Sequence, residues 1–360
     1  MADSIFRNKR RGRAFWLFLP VLLFIYLLLF PKPGGRESLV RPIWARELAR
    51  SAAAPGNAEG PYWYFRTADG FGYADLRGNL YYLGRRMHNL SLSDAGFINY
   101  GSVPDHIVFR NPRGEFEFSI KSYGYPLLES SGQVLYSINT DRSGLKRIDS
   151  EGQILWSRTF PTLLSTIALA GEQCLLGLMD GRALLLDGQG DILYQHTPDA
   201  SRIPVVLGAA ISEDGTRIAL ICGIDPQRLF VLQQRAEGFV PDFVEELDSD
   251  FRREVQVRST PDTRFLFYEV EDGLGILDAR KKGIAGLAAG GTLQSMDSGP
   301  EFSAAAFRLA EGSKLVIFRP LDSVLLSREI AADQVYVKVM GSSLILGLNG
   351  VLLRADLLEG

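Results

Sequence analysis

Two stretches of this sequence share one pattern of apolar and polar positions. Residues 171–187 and 341–356 each begin with a glycine, continue through an apolar run to a turn dipeptide, and end with a second apolar run and an aspartate. The turn dipeptides are Asp180-Gly181 and Asn349-Gly350. Such dipeptides between apolar runs are a strong signal of a β-hairpin, because both central turn residues need positive φ angles. The pattern predicts antiparallel hairpins, and looser copies continue from about residue 60 to the end.

A second turn signal recurs at a nearly fixed interval. Turns that end in Gly78, Gly114, Gly152 and Gly190 each join two short apolar runs, and these glycines are 36, 38 and 38 residues apart. A period near 40 residues with about four short strands per unit is typical of β-propeller blades. The sequence therefore predicts an all-β fold, a single β-propeller whose blades have four antiparallel strands.

The number of blades follows from the number of strands. About 28 strands can be placed along the chain, which favours seven blades, although eight blades of about 37 residues also fit the turn signals. The last unit, residues 334–356, has three strands. We expect residues 62–75 to supply its fourth strand, so that the ring closes and no sheet edge stays open.

The closing hairpins resemble the blades of the PQQ-like propellers. At residues 73–81 and 148–156, an aspartate, a turn glycine and an aromatic residue follow one another as in that family. The Ser-Glu-Asp-Gly turn at residues 212–215 similarly resembles the turns of WD40 and TolB-type propellers. The resemblance covers about residues 60–360 and implies the fold, but it says little about function. Trp156 ends one blade with the tryptophan that the family uses for docking, and Tyr, Phe or Leu replaces it in the other repeats.

The N-terminus carries a membrane signal. Residues 7–13 hold five basic side chains, and residues 14–31 are apolar or aromatic apart from two prolines. This run is just long enough to cross a bilayer, and no small-x-small cleavage site follows directly, which favours an uncleaved anchor over a cleaved signal peptide. By the positive-inside rule, the basic tail of residues 1–13 stays in the cytoplasm and the rest is exported. In a bacterium with two membranes, the propeller would be periplasmic and tethered to the inner membrane.

Two further segments complete the predicted organisation. Residues 32–60 are interpreted as a juxtamembrane linker, and residues 61–360 as the β-propeller. Residues 37–54 have the apolar spacing of a short helix, although Pro42 disturbs its first turns. Trp44 could contact the membrane interface or the propeller, but a tether without specific contacts is favoured.

Composition and cysteine usage exclude several classes of function. The formal net charge of −3 over 360 residues gives no basic field for nucleic acid. Cys174 and Cys222 stand in apolar runs of neighbouring repeats, which predicts two small buried core residues. No Cys-x-x-Cys pair and no Cys/His spacing is present, so no zinc site is predicted.

No residues have the spacing of a catalytic, cofactor or metal site. His88, His106 and His196 fall in separate repeats and are expected on the surface or in loops. The glycine-rich residues 286–291 lack the Lys-Ser/Thr of a P-loop. The family resemblance includes quinoprotein dehydrogenases, but their adjacent cysteine pair is absent, so no PQQ is expected. Four aspartates at blade turns are predicted to accept backbone hydrogen bonds and not to bind a metal: Asp75, Asp149, Asp187 and Asp278.

Two other regions bear on partners. The acidic stretch at residues 242–254 predicts a long outer strand or an exposed loop, with a partner-docking patch as the alternative. The innermost strands are predicted at residues 163–170, 205–211 and 335–340, and they are almost wholly apolar. An apolar channel favours a scaffold, whereas converging charged residues with perturbed pKa values favour an enzyme.

The two hypotheses for function follow from these expectations. Exported, tethered propellers resemble the BamB family of outer-membrane protein assembly, although a transmembrane helix replaces that family's lipid anchor here. The resemblance implies a non-enzymatic scaffold of the bacterial cell envelope that binds other envelope or membrane proteins through one face or by strand addition. The alternative is a ligand-binding or enzymatic propeller, quinoprotein-like or a hydrolase or lyase, with its site in the central channel. Under the first hypothesis no cofactor, small ligand or nucleic acid is expected.

Overall fold

The strands in the described part of the chain form eight separate sheets. The computed structural model describes residues 38–48, 62–102, 104–132, 134–198 and 201–359. The predicted tail and membrane span, residues 1–31, lie outside the described residues. Within the described part, no helix combines the length and the apolar composition that a membrane crossing requires. Residues Val40–Leu357 form one compact unit.

The strands are numbered along the chain, and the sheets are called blades 1 to 8. The first strand is β1 (Ser38–Glu47). Blade 1 contains β2 (Trp63–Arg66), β3 (Gly70–Ala74) and β4 (Leu80–Arg85). Blade 2 contains β5 (Asn89–Leu92), β6 (Phe97–Tyr100), β7 (His106–Arg110) and β8 (Phe116–Lys121). Blade 3 contains β9 (Tyr125–Leu128), β10 (Leu135–Ile138), β11 (Gly144–Ile148) and β12 (Ile154–Thr159). Blade 4 contains β13 (Leu164–Ala170), β14 (Gln173–Leu178), β15 (Ala183–Leu186) and β16 (Ile192–His196).

The second half of the chain continues in the same way. Blade 5 contains β17 (Ile203–Ile211), β18 (Arg217–Ile224), β19 (Gln227–Arg235) and β20 (Gly238–Leu247). Blade 6 contains β21 (Val257–Ser259), β22 (Phe265–Val270), β23 (Gly273–Asp278) and β24 (Gly283–Ala288). Blade 7 contains β25 (Thr292–Ser298), β26 (Ser303–Arg308), β27 (Ser313–Arg319) and β28 (Ser323–Ile330). Blade 8 contains β29 (Tyr336–Met340), β30 (Ser343–Gly347), β31 (Val351–Glu359) and, beside β31, the first strand β1.

The hairpins predicted at residues 171–187 and 341–356 are both confirmed. Strands β14 and β15 pair antiparallel across Asp180-Gly181, and β30 and β31 pair across Asn349-Gly350. Gly181 and Gly350 have φ angles of 88° and 69°, a region that side chains with a Cβ rarely adopt. These glycines therefore define where each hairpin turns.

The hydrophobic core lies between successive blades. One buried cluster joins Leu175 of blade 4 to Leu220 of blade 5, and another joins Phe71 of blade 1 to Phe97 of blade 2. A cluster that contains Trp63 of blade 1 and Ile345 of blade 8 connects the two ends of the series. The blades therefore pack in a closed circle, as a β-propeller requires.

The predicted count of seven blades is wrong and the alternative of eight is confirmed, because the described residues form 31 strands in eight sheets, more than the 28 or so predicted. The closing strand also differs from the prediction. The outer strand of blade 8 is β1, not a strand from residues 62–75, and the hydrogen bond from Leu48 N to Gly350 O (2.9 Å) places the end of β1 beside the start of β31. The short helix predicted for residues 37–54 is also wrong where this strand forms. Pro42 is compatible with an outer strand, since a proline there removes no ladder hydrogen bond on the solvent side.

An aromatic side chain of one blade packs on the turn glycine of the next. Trp156 donates its indole N–H to Gly188 O (2.9 Å) and covers Gly190. Trp44 of β1 repeats this geometry across the ring closure, donating to Leu76 O (3.0 Å) and covering Gly78. The chain thus has a second docking tryptophan, which the sequence analysis assigned to a tether. The interpretation without specific contacts is therefore wrong for Trp44.

Blade 1 has three described strands, whereas each of the other blades has four. In blades 2 to 4, the turn that ends in Gly114, Gly152 or Gly190 joins the third strand to the fourth. In blade 1, the equivalent turn at Gly78 joins β3 to β4, so β2 occupies the position of a second strand. A first strand of this blade is not among the described residues.

Candidate functional site: the central cavity

The ring encloses a cavity to which every blade contributes. Its volume is about 540 Å³, which lies within the usual range for small-molecule pockets. The lining includes one or more residues from each blade in turn: Tyr64, Leu92, Ser130, Leu169, Glu213, Arg258, Asp297 and Lys338. A site lined by all eight blades lies at the centre of the propeller.

Polar side chains of β25 hold the neighbouring inner strand β29. Gln294 Oε1 accepts the backbone N–H of Val335 (2.9 Å), and Ser295 Oγ accepts that of Val337 (2.9 Å). Asp297 continues the series with Oδ2, which accepts the backbone N–H of Val339 (2.8 Å). These contacts replace a strand ladder between blades 7 and 8, so the polar groups of β25 have a structural role.

The second oxygen of Asp297 is also occupied. Arg258 on β21 donates from Nη1 to Asp297 Oδ1 (2.8 Å) and to the carbonyl oxygen of Met296 (3.0 Å). The guanidinium therefore links blade 6 to blade 7, and the pair is neutral overall. Neither group is left available as an acid or a base by the described contacts.

Arg66 on β2 is in a different situation. Its Nη2 donates to Leu90 O (3.2 Å), and no carboxylate of the described residues lies within ion-pair distance. Burial lowers the pKa of the guanidinium, Tyr336 and Tyr64 oppose this in part, and the like charge of Arg86 makes the smallest contribution, which also lowers the pKa. A guanidinium has five N–H donors, so most of its hydrogen-bonding capacity faces the cavity unused by the described contacts.

Lys338 on β29 completes a cationic corner of the cavity. Its ammonium lies 3.6 Å from the ring centroid of Tyr64 and 3.5 Å from Asp94 Oδ1, whose side chain is 58% exposed. Arg86 Nη1 donates to the hydroxyl of Tyr336 (3.4 Å), a second phenol of the lining. Two phenols and three cationic side chains therefore surround this corner, with one exposed carboxylate beside them.

The predicted apolar inner strands are found in part, but the lining of the cavity is not wholly apolar. The inner strands β13 and β17 are largely apolar, as predicted. On β29, however, Lys338 reaches the cavity from a run that the sequence analysis treated as apolar. Arg66 stood outside every predicted inner strand, so no sequence signal brought the two charges together.

The turn aspartates behave as predicted. Asp149 Oδ1 accepts the backbone N–H groups of Glu151 (2.9 Å) and Gln153 (2.7 Å), and Asp75 and Asp187 accept the equivalent pairs. Asp278 accepts from Arg280 N (2.9 Å) and Lys281 N (3.1 Å). Their oxygens thus stabilise the turns.

Asp278 gives a prediction about pH. Its side chain is 1% exposed and pairs with Arg264 at 3.2 Å. Burial alone would raise its pKa, but the two backbone N–H groups and Arg264 together lower it. A depressed folded-state pKa stabilises the protein above the unfolded-state value of about 3.9, and this contribution is lost as the pH falls through the folded-state pKa. We expect Asp278→Asn to cost about 1–2 kcal/mol in urea unfolding at pH 7, and the difference from wild type to be smaller at pH 3 than at pH 7.

The matched control for this measurement is Asp187→Asn. Asparagine keeps an oxygen that can accept the N–H groups of Gln189 and Asp191, and no ion pair of Asp187 is lost. We expect this variant to stay within about 0.5 kcal/mol of wild type at both pH values. Equal, pH-independent losses in the two variants would contradict the role assigned to the Arg264–Asp278 pair.

The remaining sequence candidates do not come together. His88 is exposed, the His106 side chain is 53% exposed, and His196 stacks on Tyr194 with the ring centroids 6.2 Å apart. Cys174 and Cys222 are free and buried, as predicted, and burial raises the pKa of both thiols. Within the described residues, no group of three His, Cys, Asp or Glu side chains could hold a metal ion.

The acidic stretch at residues 242–254 begins on the outer strand β20, as predicted. Several of its carboxylates have partners. Asp242 pairs with Lys282 (3.2 Å), and Glu246 pairs with Arg228 (3.4 Å). Glu254 accepts a hydrogen bond from Thr166 (2.9 Å). The stretch therefore connects blades as well as carrying charge.

Comparison with known proteins agrees with this architecture. A model of a family described as "beta-propeller protein" matches residues 6–360. The chain belongs to this beta-propeller family. A protein of Treponema pallidum (strain Nichols), described as uncharacterized, is 23% identical over 290 residues, which cover 77% of this chain and 76% of that protein.

Solved structures share the fold at low sequence identity. The crystal structure of BamB from Moraxella catarrhalis is 13% identical, with a TM-score of 0.58 over 88% of this chain and all of that chain. A chain of the mitotic checkpoint complex is 14% identical, with a TM-score of 0.56 over 86% of this chain and 99% of that chain. The Dos1 propeller is 11% identical, with a TM-score of 0.57 over 88% of this chain and 95% of that chain. At these identities, the likeness concerns the fold alone.

Proposed function

We propose that this protein is a non-enzymatic scaffold of the bacterial cell envelope, tethered to the cytoplasmic membrane by residues 14–31, with its propeller on the extracytoplasmic side. The basic and apolar N-terminal residues support the tether and its orientation. The likeness to BamB, and to a chain of a multiprotein checkpoint complex, supports a role in protein–protein assembly. The partners would be other envelope or membrane proteins.

The observation that carries this proposal is a concentration of exposed apolar side chains on blade 4 and at the start of blade 5. Leu163 and Met179 are 48% and 50% exposed, and a hydrogen bond from Met179 N to Leu163 O (3.0 Å) keeps them adjacent. Ile203 is 45% exposed, and its neighbour Pro204 lies against Gly181, two residues after Met179. Apolar groups that cluster on a protein surface commonly mark a protein-binding site.

The outer edge of the same blade also suits a partner. On β16, Ile192 is 46% exposed and Leu193 is 52% exposed. This strand carries no Asp, Glu, Lys or Arg, the residues with which proteins usually protect an exposed sheet edge. A partner strand could add to β16 by backbone hydrogen bonds while its apolar side chains contact Ile192 or Leu193.

The test is a comparison of co-purified proteins. Tagged full-length protein is solubilised from its native membrane, and the proteins recovered with it are quantified by mass spectrometry. We expect stoichiometric envelope partners with wild type, and their loss with the double variant Met179→Glu/Leu193→Glu. The matched control is Val324→Glu on β28 of blade 7, where the side chain is 53% exposed, and it should retain the partners.

The possible results separate the parts of the proposal. Recovery of no partner by wild-type protein would contradict the scaffold. Retention of partners by the double variant would remove blade 4 as their binding site. Recovery of the full-length protein in the soluble fraction without detergent would contradict the tether at residues 14–31.

A further inference from the structure

The central cavity contains two cationic groups that have no buried carboxylate partner among the described residues. Among the lining residues, Asp297, Gln294 and Ser295 hold β29, and Arg258 is paired with Asp297. Arg66 and Lys338 are the lining cations that remain. Arg66 donates one hydrogen bond, to Leu90 O on the inner strand of blade 2, and Lys338 pairs only with the solvent-exposed Asp94 among the described carboxylates.

The two cations face the same part of the cavity. Lys338 lies over the ring of Tyr64, which is separated from Arg66 by one residue on β2. Tyr336 is two residues before Lys338 on β29, and both Tyr64 and Tyr336 act electrostatically on Arg66. The carboxylate nearest to Lys338 is Asp94, at 3.5 Å and largely exposed to solvent. The corner therefore has an excess of positive charge with phenol groups on two sides.

We propose that this corner is a binding site for a small organic anion, with a carboxylate or phosphate group held between Arg66 and Lys338. The planar guanidinium of Arg66 can donate two parallel hydrogen bonds to such a group, and the ammonium of Lys338 supplies a second charge. The hydroxyl of Tyr64 can donate to a further oxygen of the ligand, whereas that of Tyr336 already donates to Gln334 Oε1 (3.4 Å). The cavity of about 540 Å³ has room for a metabolite-sized molecule.

A cationic side chain that serves to bind an anion should reduce the stability of the protein alone. A guanidinium that is partly removed from water, without a carboxylate partner, loses hydration that its one carbonyl contact does not replace. Residues kept at such a cost commonly serve binding, and removing them stabilises the protein while it abolishes the function. A purely structural Arg66 predicts the opposite change in stability, because its loss would remove packing and the bond to Leu90 O. The two roles can therefore be separated by experiment.

The experiment uses the full-length protein in detergent at constant ionic strength, with citrate and inorganic phosphate as the probes. Calorimetric titration measures binding, and thermal unfolding measures stability with and without the probe. We expect one or both probes to bind wild type, and Arg66→Met and Lys338→Met each to weaken binding by about tenfold or more. Without a probe, Arg66→Met should unfold at the same temperature as wild type or higher. Preference for citrate identifies a carboxylate ligand, and preference for phosphate identifies a phosphate ester.

The matched control is Arg182→Met. Arg182 is paired with Asp180 (2.7 Å), outside the cavity, so this variant should bind the probes like wild type. Comparison with this variant also corrects for the general stabilisation that citrate and phosphate give to folded proteins. Absence of binding to wild type, equal binding by Arg66→Met, or a lower unfolding temperature of Arg66→Met with unchanged binding would each overturn the proposal. None of these results depends on whether the protein is a scaffold.

Discussion

A chain that begins at residue 61 is expected to be poorly soluble and to unfold at a much lower urea concentration than a chain that begins at residue 37. Residue 61 is the domain boundary that the sequence suggests, but β1 lies before it and forms the outer strand of blade 8. Its removal exposes the edge of β31 and takes away Trp44, which docks on Gly78. It also removes Leu48, which is 5% exposed and belongs to the cluster between blades 8 and 1.

The expected loss of stability is large because these contacts close the ring. Removal of one large buried apolar side chain typically costs about 2–5 kcal/mol, and here the buried Leu48 and the half-buried Trp44 are lost together with a strand. The sum is comparable to the whole stability of a typical domain, about 5–15 kcal/mol. An unpaired edge on β31 also invites aggregation. Soluble yield, gel filtration and urea unfolding followed by tryptophan fluorescence measure the effect.

Two controls make this result specific. The chain that begins at residue 37 lacks the same predicted anchor but retains β1, so it should unfold like the full-length protein. Trp44→Ala in the full-length protein should cause part of this loss of stability. Trp156→Ala removes the equivalent contact inside the ring and should reduce the stability by a similar amount. Equal urea midpoints for chains beginning at residues 37 and 61 would show that β1 does not hold the ring closed.

The sequence predicts those parts of the fold that depend on local turn residues. Asp180-Gly181 and Asn349-Gly350 each fix a hairpin, because the turn and both strands lie within a few residues of one another. The glycine period at Gly78 and Gly114 likewise marks the join between the third and fourth strands of a blade. These local signals predict the propeller fold although they contain no information about contacts between residues distant in the sequence.

The closure of the ring could not be predicted in the same way. Trp44 and Leu76 form a hydrogen bond between blade 8 and blade 1, whereas Trp156 and Gly188 form the same bond between blades consecutive in the chain. The strand that carries Trp44 pairs with the C-terminal strand β31, and no local pattern encodes that pairing. Very short strands such as β21, with three residues, are also too short for an alternation of apolar and polar residues to be recognised.

The cationic corner of the cavity was not predicted for the same reason: it depends on residues that are distant in the sequence. Arg66 and Lys338 stand at opposite ends of the propeller sequence, and each is a single charge in an otherwise apolar or aromatic strand. Only the circular arrangement brings β2 beside β29. The criterion that converging charges favour a ligand site was sound, but the residues that satisfy it could not be identified.

A scaffold and an anion site are compatible in one propeller. The exposed apolar side chains of blade 4, such as Met179 and Leu193, lie on the outer strand and at the blade end, whereas Arg66 and Lys338 line the interior. The two surfaces share no side chain. Each can therefore be tested by its own variants, as designed above.

Gly347→Ala is expected to destabilise the protein by about 3 kcal/mol or more. Gly347 lies on β30 of blade 8, and a Cβ at this position would overlap the backbone carbonyl oxygen of Arg66 on β2 of blade 1. A backbone atom cannot rotate away as a side chain can, so the two blades would have to separate. That separation would open the cluster that contains Trp63 and Ile345, which are 1% and 2% exposed. Urea unfolding followed by tryptophan fluorescence, through buried Trp63, measures the loss.

The matched control is Gly286→Ala on β24, where an added Cβ would meet no atom within 4 Å. This strand glycine should accept alanine within about 0.5 kcal/mol, with a small gain if the unfolded chain loses freedom. Because Gly347 touches the backbone of Arg66, its alanine variant should also weaken citrate or phosphate binding at temperatures where the variant remains folded. A Gly347→Ala protein as stable as Gly286→Ala would mean that blades 8 and 1 are not in the close contact described, and both the ring closure and the position of Arg66 would need revision.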